Sequence, residues 1–283
     1  MHAPARFRGL LTLLCESLLT TFVPSACSIC SEPLTNSSRL PVCQLCRDAI
    51  APISVKTCTV CGERVEETSS ISTCGLCVRA KYPFDRAVAF TPFEGEAREL
   101  IHLLKYSGVK TAAPLLGKMI ADAIRKLDKD LESPKRVLVV PVPLHRHKSR
   151  SRGFNQSELV ARAALRTLRD PRLTYAPRTL VRVRRTEPQA GLSNHQRRAN
   201  LRGSFAVRYA ERLKGHTVLL VDDVYTTGTT AAECARTLKR AGAKAVYVAT
   251  IARSFKFSAA ELDRWHLNLP HPKQEEVAVH RSM

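Results

Sequence analysis

Aromatic residues are scarce in this chain, 6% of 283 residues with a single Trp. Stacking on bases is therefore secondary to charge in any nucleic-acid contact it makes. Long apolar runs are missing too, and none approaches the roughly 20 residues of a membrane-spanning helix. The apolar stretch 9–23 follows Arg6 and Arg8, the outline of a secretory or lipoprotein signal ending at Cys27. Glu16 and Cys15 interrupt it, and Pro24 stands where such a signal has an aliphatic residue, so a short amphipathic helix is expected over 1–24. Two phosphate-binding motifs are absent: there is no Gly-Lys-Ser/Thr loop, and no G-x-G-x-x-G opens a strand–helix turn. Acidic residues nearly vanish from 135–202, where 17 Lys and Arg face 3 Asp and Glu. That stretch supplies +14 of the chain's +20, against +1 in 1–80, +1 in 81–134 and +4 in 203–283. A general arginine bias would raise the total without concentrating it, so a polyanionic partner is implied.

Cysteine is confined in the same way. Nine of ten precede residue 78, and eight form four C-x-x-C pairs: Cys27/Cys30, Cys43/Cys46, Cys58/Cys61 and Cys74/Cys77. Two thiolates three positions apart grip one metal from a tight turn, and a second such turn completes a tetrahedron. Taken in order, the pairs make two C-x2-C-x12-C-x2-C units, one zinc each; an interleaved pairing satisfies the same spacing. A disulfide framework would need an oxidising compartment and suits the C-x-x-C turn less well. Units this small hold little apolar core, so each metal would supply about 10–16 kcal/mol of folding energy. Four sulfur ligands leave no open position, so both zincs are expected to be structural. Cys15 has no partner, and Cys234 lies on the stripe Ala231, Cys234, Ala235, Leu238, Ala241, where a packed thiol is expected.

Beyond Lys81 the pattern alternates. A strand is expected in 84–93, and a helix over 95–106 carries Ala97, Leu100, Ile101 and Leu104 on one face. A second helix is expected over 110–127. The continuous apolar run 136–144 suits a strand covered on both faces. Asn155 to Glu158 has the spacing of a capping box, so a helix starts near Gln156. Further strands are expected before Arg184, at 217–222 and at 245–252, with a helix over 229–241 closed by Gly242. Alternation of this kind means an α/β fold with a parallel sheet. The expected division is an N-terminal helix (1–24), a double zinc ribbon (25–80), the parallel-sheet domain (81–256) and a mobile tail (257–283).

One stretch carries the chemistry: "LLVDDVYTTGTTAAE", 219–233. Ligands of open parallel sheets gather beyond the carboxyl ends of strands, where Asp222 and Asp223 are expected. Thr226, Thr227, Gly228, Thr229 and Thr230 then lead into a helix N-terminus whose unpaired amides favour a phosphate dianion. The turn would hold the phosphate of a phosphorylated sugar while the carboxylates take vicinal hydroxyls, directly or through Mg2+.

"VLLVDDVYTTGTT" (218–230) resembles the phosphoribosyl-pyrophosphate (PRPP) signature of type I phosphoribosyltransferases, departing at Tyr225, where an aliphatic residue is usual. With "VVPVPLHRHKSRSRGFNQSE" (139–158), "RRTEPQAGLSNHQRRANLRGSF" (184–205) and the cysteine-rich start, the chain resembles the ComF family of competence-associated proteins over about residues 24–254. That resemblance implies a phosphoribosyltransferase-like domain after a double zinc ribbon, a cytoplasmic location, and handling of single-stranded DNA in natural transformation. It implies that Asp222 and Asp223 meet the ribose diol, that Thr226 to Thr230 hold the 5′-phosphate, and that Mg2+ accompanies PRPP. Arg146, Lys148 and Arg152 would lie near pyrophosphate. The stretch 184–200 would be the loop closing over the ligand, with Arg184, Arg185, Arg197 and Arg198 contributing charge to pyrophosphate or DNA. Purine-salvage relatives carry an acid at the place of Thr226, so its absence argues against purine salvage. Tyr82, Phe84, Tyr106 and Phe154 are the candidate base-stacking residues. Two further readings stand beside DNA binding: an active Mg-dependent phosphoribosyltransferase acting on a nitrogen nucleophile, and a zinc-ribbon adaptor for a helicase or other DNA-processing protein.

Overall fold

The computed structural model describes residues 26–34, 39–65, 72–79, 81–133, 135–145, 150, 152–184, 186 and 194–255. The helix expected over 1–24, Cys15 and the tail from 257 lie outside the described residues. Among the described residues no helix is long and apolar enough to cross a membrane.

The cysteine-rich part is one unit built twice. Cys27 N donates to Glu32 O at 2.8 Å, and Cys58 N donates to Glu63 O at 2.6 Å. Ala26 bridges Pro33 as Thr57 bridges Arg64. The tight turn between takes a left-handed residue each time, Ser31 at φ 66° and Gly62 at φ 70°. A short helix then carries the second cysteine pair, α1 (Gln44–Asp48) in the first unit and α2 (Gly75–Arg79) in the second.

Next come β1 (Arg86–Pro92), α3 (Gly95–Lys105), a 3-10 turn (Lys110–Ala112), α4 (Ala113–Arg125), α5 (Asp128–Leu131), β2 (Val137–Pro141), α6 (Gln156–Leu168) and β3 (Leu173–Tyr175). They are followed by β4 (Leu180–Arg182), α7 (Asn194–Leu201), β5 (Phe205–Val207), β6 (Thr217–Tyr225), α8 (Thr229–Arg240) and β7 (Ala245–Arg253). Among the described residues five parallel strands form one sheet in the order β1-β7-β6-β2-β3, and β4 pairs with β5 antiparallel. β6 outruns its expected end by reaching Tyr225, and the helix expected from 110 begins as a 3-10 turn before α4, which carries Pro114 in its first turn. β3 and β5 have three residues each, too few to show an alternating pattern. The cap of α6 forms as expected, with Asn155 Oδ1 accepting from Ser157 N at 3.1 Å.

Two apolar layers enclose the sheet. Leu100, Ile101 and Leu104 of α3, Leu116 and Ile120 of α4, and Val160 of α6 pack with Leu219 and Val221 of β6. Cys234, Ala235 and Leu238 of α8, with Leu201 and Phe205, pack with Val218 and Leu220. Each fully buried large side chain contributes about 1.5–3 kcal/mol. Helices α4 and α6 cross so closely that a Cβ on Gly117 would lie 2.3 Å from the Ala163 Cβ.

The zinc-ribbon part covers the outer edge of β1. Ala87 N donates to Val60 O and Ile53 N to Phe90 O, both at 2.7 Å. An open edge strand invites pairing with other chains, and this cover removes the opportunity. The first unit contributes Cys27, Leu40, Val42, Cys46 and Ile50 to one layer, and the second contributes Cys58 and Cys61 to the other.

Candidate functional site

Strand order reverses between β2 and β6: the chain goes outward from β2 to β3 and the opposite way from β6 to β7. Such a switch point opens a crevice beyond the carboxyl ends of the two strands. Asp222 and Asp223 stand at that end of β6, and α6 begins beside them.

The adjacent carboxylates meet different partners, because successive strand residues face opposite sides of a sheet. Asp223 is 5% exposed, and Lys105 Nζ at the end of α3 reaches its Oδ1 at 2.8 Å. Asp222 is half-buried, and its Oδ1 accepts from the Ser157 hydroxyl at 2.9 Å and from Asp223 N at 2.9 Å. Burial first and the Asp223 charge second push the Asp222 carboxyl up to about 7, against the pull of Lys105 and the two hydrogen bonds. Like charges are thus tolerated side by side because one is neutralised by lysine and the other ionises late. Asp222 is the more exposed residue of the two. Lys105 was missed in the sequence although a signal was there: it lies four residues after Ile101, on the apolar stripe of α3. Ser157, fully buried beneath the cap of α6, was missed as well.

The turn after β6 has the expected form. Gly228 caps α8 at φ 72°, a left-handed conformation, and offers no side chain to the first-turn amides. No acid stands in that first turn. Thr226 is exposed, Thr227 and Thr230 are half-buried, and Thr229 is buried, with the Thr227 and Thr229 hydroxyls 2.8 Å apart. A helix N-terminus so arranged attracts anions by its amides and its dipole.

Tyr225, the departure from the aliphatic pattern, has a packing reason. A Cβ on Gly228 would lie 2.1 Å from the Tyr225 oxygen and 2.5 Å from its Cζ, so the ring rests directly on the turn. The Arg253 guanidinium stands over the ring, 4.5 Å from the centroid, and Phe84 meets it edge-on at 6.2 Å. Arg253, 4% exposed, donates to Cys61 O at 2.5 Å and to Glu63 Oε2 at 2.7 Å. A continuous set of contacts therefore runs from the second cysteine unit to the threonine turn.

The cysteines gather in chain order: Cys27, Cys30, Cys43 and Cys46 in one cluster, Cys58, Cys61, Cys74 and Cys77 in the other. Within each cluster the four sulfurs lie within 4.8 Å of one another. Cys27 and Cys46 are 3.9 Å apart, Cys30 and Cys43 3.7 Å, and Cys61 and Cys74 3.6 Å. A zinc tetrahedron with bonds of about 2.3 Å has edges of about 3.8 Å, so both clusters fit the ion. Burial raises the Cys27 thiol, but the amides of Cys30, Cys43 and Ile29 together outweigh it and bring it down to about 6. Cys58 is brought to about 7 in the same way by the amides of Cys61, Cys74 and Val60. Amides aimed at sulfur are the support a thiolate ligand requires. Cys234 is fully buried in α8, the packed thiol its stripe implied.

The basic candidates divide. Arg146, Lys148 and Arg185 lie outside the described residues, as do the side chains of Arg197 and Arg198 on α7. Arg152 donates to Gln156 Oε1 at 2.6 Å and stands 5.5 Å over the Tyr106 ring, beside the α6 cap. Arg184 donates to Asn200 O at 2.7 Å and Arg202 O at 2.9 Å, so it ties both ends of its loop together. Of the aromatic candidates, Phe84 is corrected: at 3% exposure it is a core residue, stacked with Tyr82 at 5.0 Å. Tyr106 is 74% exposed, and Phe154 is half-buried under Lys110.

This sheet order, acidic strand end and threonine turn define a domain of the phosphoribosyltransferase type. The phosphoribosyl transferase domain family matches residues 111–264, and the double zinc ribbon domain family matches residues 18–78. The DNA utilization protein YhgH of Salmonella typhi is 31% identical over 232 residues, 82% of this chain and 98% of that protein. Competence protein F of Haemophilus influenzae is 34% identical over 146 residues, 51% of this chain and 61% of that protein. Among solved structures, a Bacillus subtilis glutamine PRPP amidotransferase is 21% identical over 50% of this chain and 26% of that one, at TM-score 0.32. The chain belongs to the ComF family, in which a double zinc ribbon precedes a phosphoribosyltransferase domain.

Proposed function

We propose that this chain serves DNA utilisation and uptake in the cytoplasm by binding single-stranded DNA on a scaffold that also holds PRPP or a related phosphorylated pentose. The observation that carries the reading is one chain joining an uncapped, acid-free α8 terminus beside Asp222 to a stretch, 135–202, with 17 basic residues and 3 acids. The names of the relatives, a DNA utilization protein and a competence protein, point the same way.

In this reading Asp222 accepts the ribose hydroxyls, and Asp223, neutralised by Lys105, sets the ionisation of its neighbour. Thr226, Thr227, Gly228, Thr229 and Thr230 surround the 5′-phosphate. Mg2+ bound with the ligand offsets the pyrophosphate charge. Arg152 stands at the pyrophosphate end, with Arg146 and Lys148 assigned there by position in the chain. Arg185, Arg197 and Arg198 are assigned to the same anionic ligands. Arg184 is assigned to holding its loop rather than to the ligand, because two carbonyls occupy its guanidinium. The two zinc clusters are structural.

The test is oligonucleotide binding with and without Mg-PRPP on one preparation, with Mg-PRPP titrated calorimetrically in parallel. Oligonucleotide affinity that does not fall between low and fourfold higher salt would remove the DNA half, since each neutralised phosphate contributes about 0.7 to the log–log slope. Equal Mg-PRPP binding by the native protein and the double variant Asp222→Ala, Asp223→Ala would remove the pentose half.

A working phosphoribosyltransferase is the second reading, favoured by the intact turn and the late-ionising Asp222. Pyrophosphate would leave C1, positive charge would build on the ribose, and a nitrogen nucleophile would attack, with catalysis mainly by electrostatic positioning. Thr226 supplies no acid for a purine, so the acceptor is of another class. Pyrophosphate release that depends on an added nitrogen nucleophile is the readout; its absence across nucleophile classes removes this reading alone.

A further inference from the structure

A cleft of about 760 Å3 opens at the β3 end of the sheet, away from the threonine turn. Leu138 and Thr174 line it together with Arg136, Arg178, Arg208 and Arg212. No carboxylate lines it, and none of the four arginines forms an ion pair among the described residues. All four are exposed. Four like charges around one concavity repel one another, and no carboxylate among the described residues pairs with them, so the arrangement stabilises an anion.

One tyrosine makes the cleft more specific than a basic patch. It is not Tyr175, whose ring lies on the other face of the sheet, packed with the α6 layer and with Arg162 4.9 Å over it. Tyr209 is 55% exposed at the rim and sits at φ 59°, ψ 57°, a left-handed conformation that bulky residues rarely adopt. The strain is held from both sides: Arg208 N donates to Thr179 O at 2.8 Å, and Arg212 N to Tyr209 O at 3.0 Å. Strained residues held by their surroundings concentrate at binding sites. An exposed ring with Arg212 5.2 Å over it, beside arginines that form no ion pair among the described residues, offers a face for a base and a track for phosphates.

We infer that this arginine-lined cleft, with Tyr209 at its rim, is where single-stranded nucleic acid binds. The inference rests on the DNA reading above and adds its place: the nucleic acid lies at the other end of β6 from the pentose site. His216, which also lines the cleft, precedes Asp222 by six residues of nearly straight chain, about 20 Å at 3.3 Å per residue.

The test measures anisotropy of a labelled oligothymidylate of about 20 nucleotides on the full zinc-loaded chain across a salt series starting near 50 mM. The triple variant Arg178→Glu, Arg208→Glu, Arg212→Glu is compared with a charge-matched control, Lys118→Glu, Arg166→Glu, Arg240→Glu, whose residues are exposed on helices elsewhere. The cleft variant is expected to lose about tenfold or more in affinity and about 2 from the log–log slope, while the control stays within about threefold of the native protein. Equal losses in both variants, or a cleft variant that binds as the native protein does, overturn the inference and leave the DNA reading standing. A native protein that does not bind at all overturns both. Photo-crosslinking of a bromodeoxyuridine oligonucleotide to the native chain gives a check independent of any variant. Crosslinks at residues 176–179 or at Tyr209 support the cleft, and crosslinks confined elsewhere overturn it. Competition by micromolar thymidine 5′-monophosphate would overturn a strand site in favour of a free-nucleotide site.

Discussion

Replacing Arg253 with Met keeps the length of the side chain and removes its charge and donors at a junction of three parts of the molecule. Arg253 and Glu63 are among the most enclosed ionic partners in the described residues, with side chains 4% and 12% exposed. Burial by itself would lower the Arg253 pKa; the carboxylate of Glu63 beside it outweighs that and raises it. The substitution takes the guanidinium away from the Glu63 carboxylate and the 2.5 Å donor away from the Cys61 carbonyl. Breaking a buried pair by removing one member costs about 3–5 kcal/mol. At about 2–4 °C per kcal/mol for a domain of this size, the melting temperature should fall by about 6–20 °C. Cys61 belongs to the second zinc cluster, so zinc should also pass faster to a chromophoric chelator. Differential scanning calorimetry of the zinc-loaded protein and the chelator assay read the two effects separately. Adding Glu63→Gln removes the carboxylate charge, and the double variant should recover about 1–3 kcal/mol relative to additivity. An Arg253→Met protein within about 1 kcal/mol of the native one, with unchanged zinc release, would refute the claim that this pair joins the ribbon to the sheet.

Three further outcomes follow from the same structure. Gly228→Ala places a methyl group against the Tyr225 ring and forces a side chain into a left-handed conformation. Urea denaturation should show a loss of about 2–4 kcal/mol, and Tyr225→Leu in the same chain should recover part of it. Asp222 holds its proton in the folded state up to about pH 7, above the ordinary carboxylate value near 4. Its contribution to stability is thus complete below about pH 4 and is lost as pH rises through about 7. Lys105, Asp223 and Ser157 surround this group, and Mg-PRPP binding through the ionised carboxylate should tighten as pH rises to about 7, with proton release seen by calorimetry in buffers of different ionisation enthalpy. Cys58→Ser should bind one zinc in place of two by atomic absorption and unfold the second unit, because metal affinity supplies that unit's folding energy.

Much of the fold was legible in the chain because its signals are local. The C-x-x-C spacing needs only a turn and a second turn, so the eight ligands could be read directly, although both the ordered and the interleaved grouping met the spacing. Continuous apolar runs at 136–144 and 217–222 marked strands covered on both faces, and the stripe through Cys234 marked the buried face of α8. The strands of three residues, β3 and β5, left no periodic trace, and their place came from pairing with β2 and β4. Within the candidate site the doublet and the threonine turn were visible because they are contiguous. Lys105 was not seen as a partner of Asp223 because the two stand far apart in the sequence and only the fold brings them together.

By itself, then, the sequence determined the metal-binding units, the parallel α/β pattern, the threonine turn and the uneven charge, since each depends on residues close together in the chain. Tertiary structure alone decided which carboxylate Lys105 neutralises, why Tyr225 stands where an aliphatic residue is usual, and which arginines share a concave surface. Those features are contacts between distant segments, set by strand order and helix packing, and no local pattern encodes a distance between them.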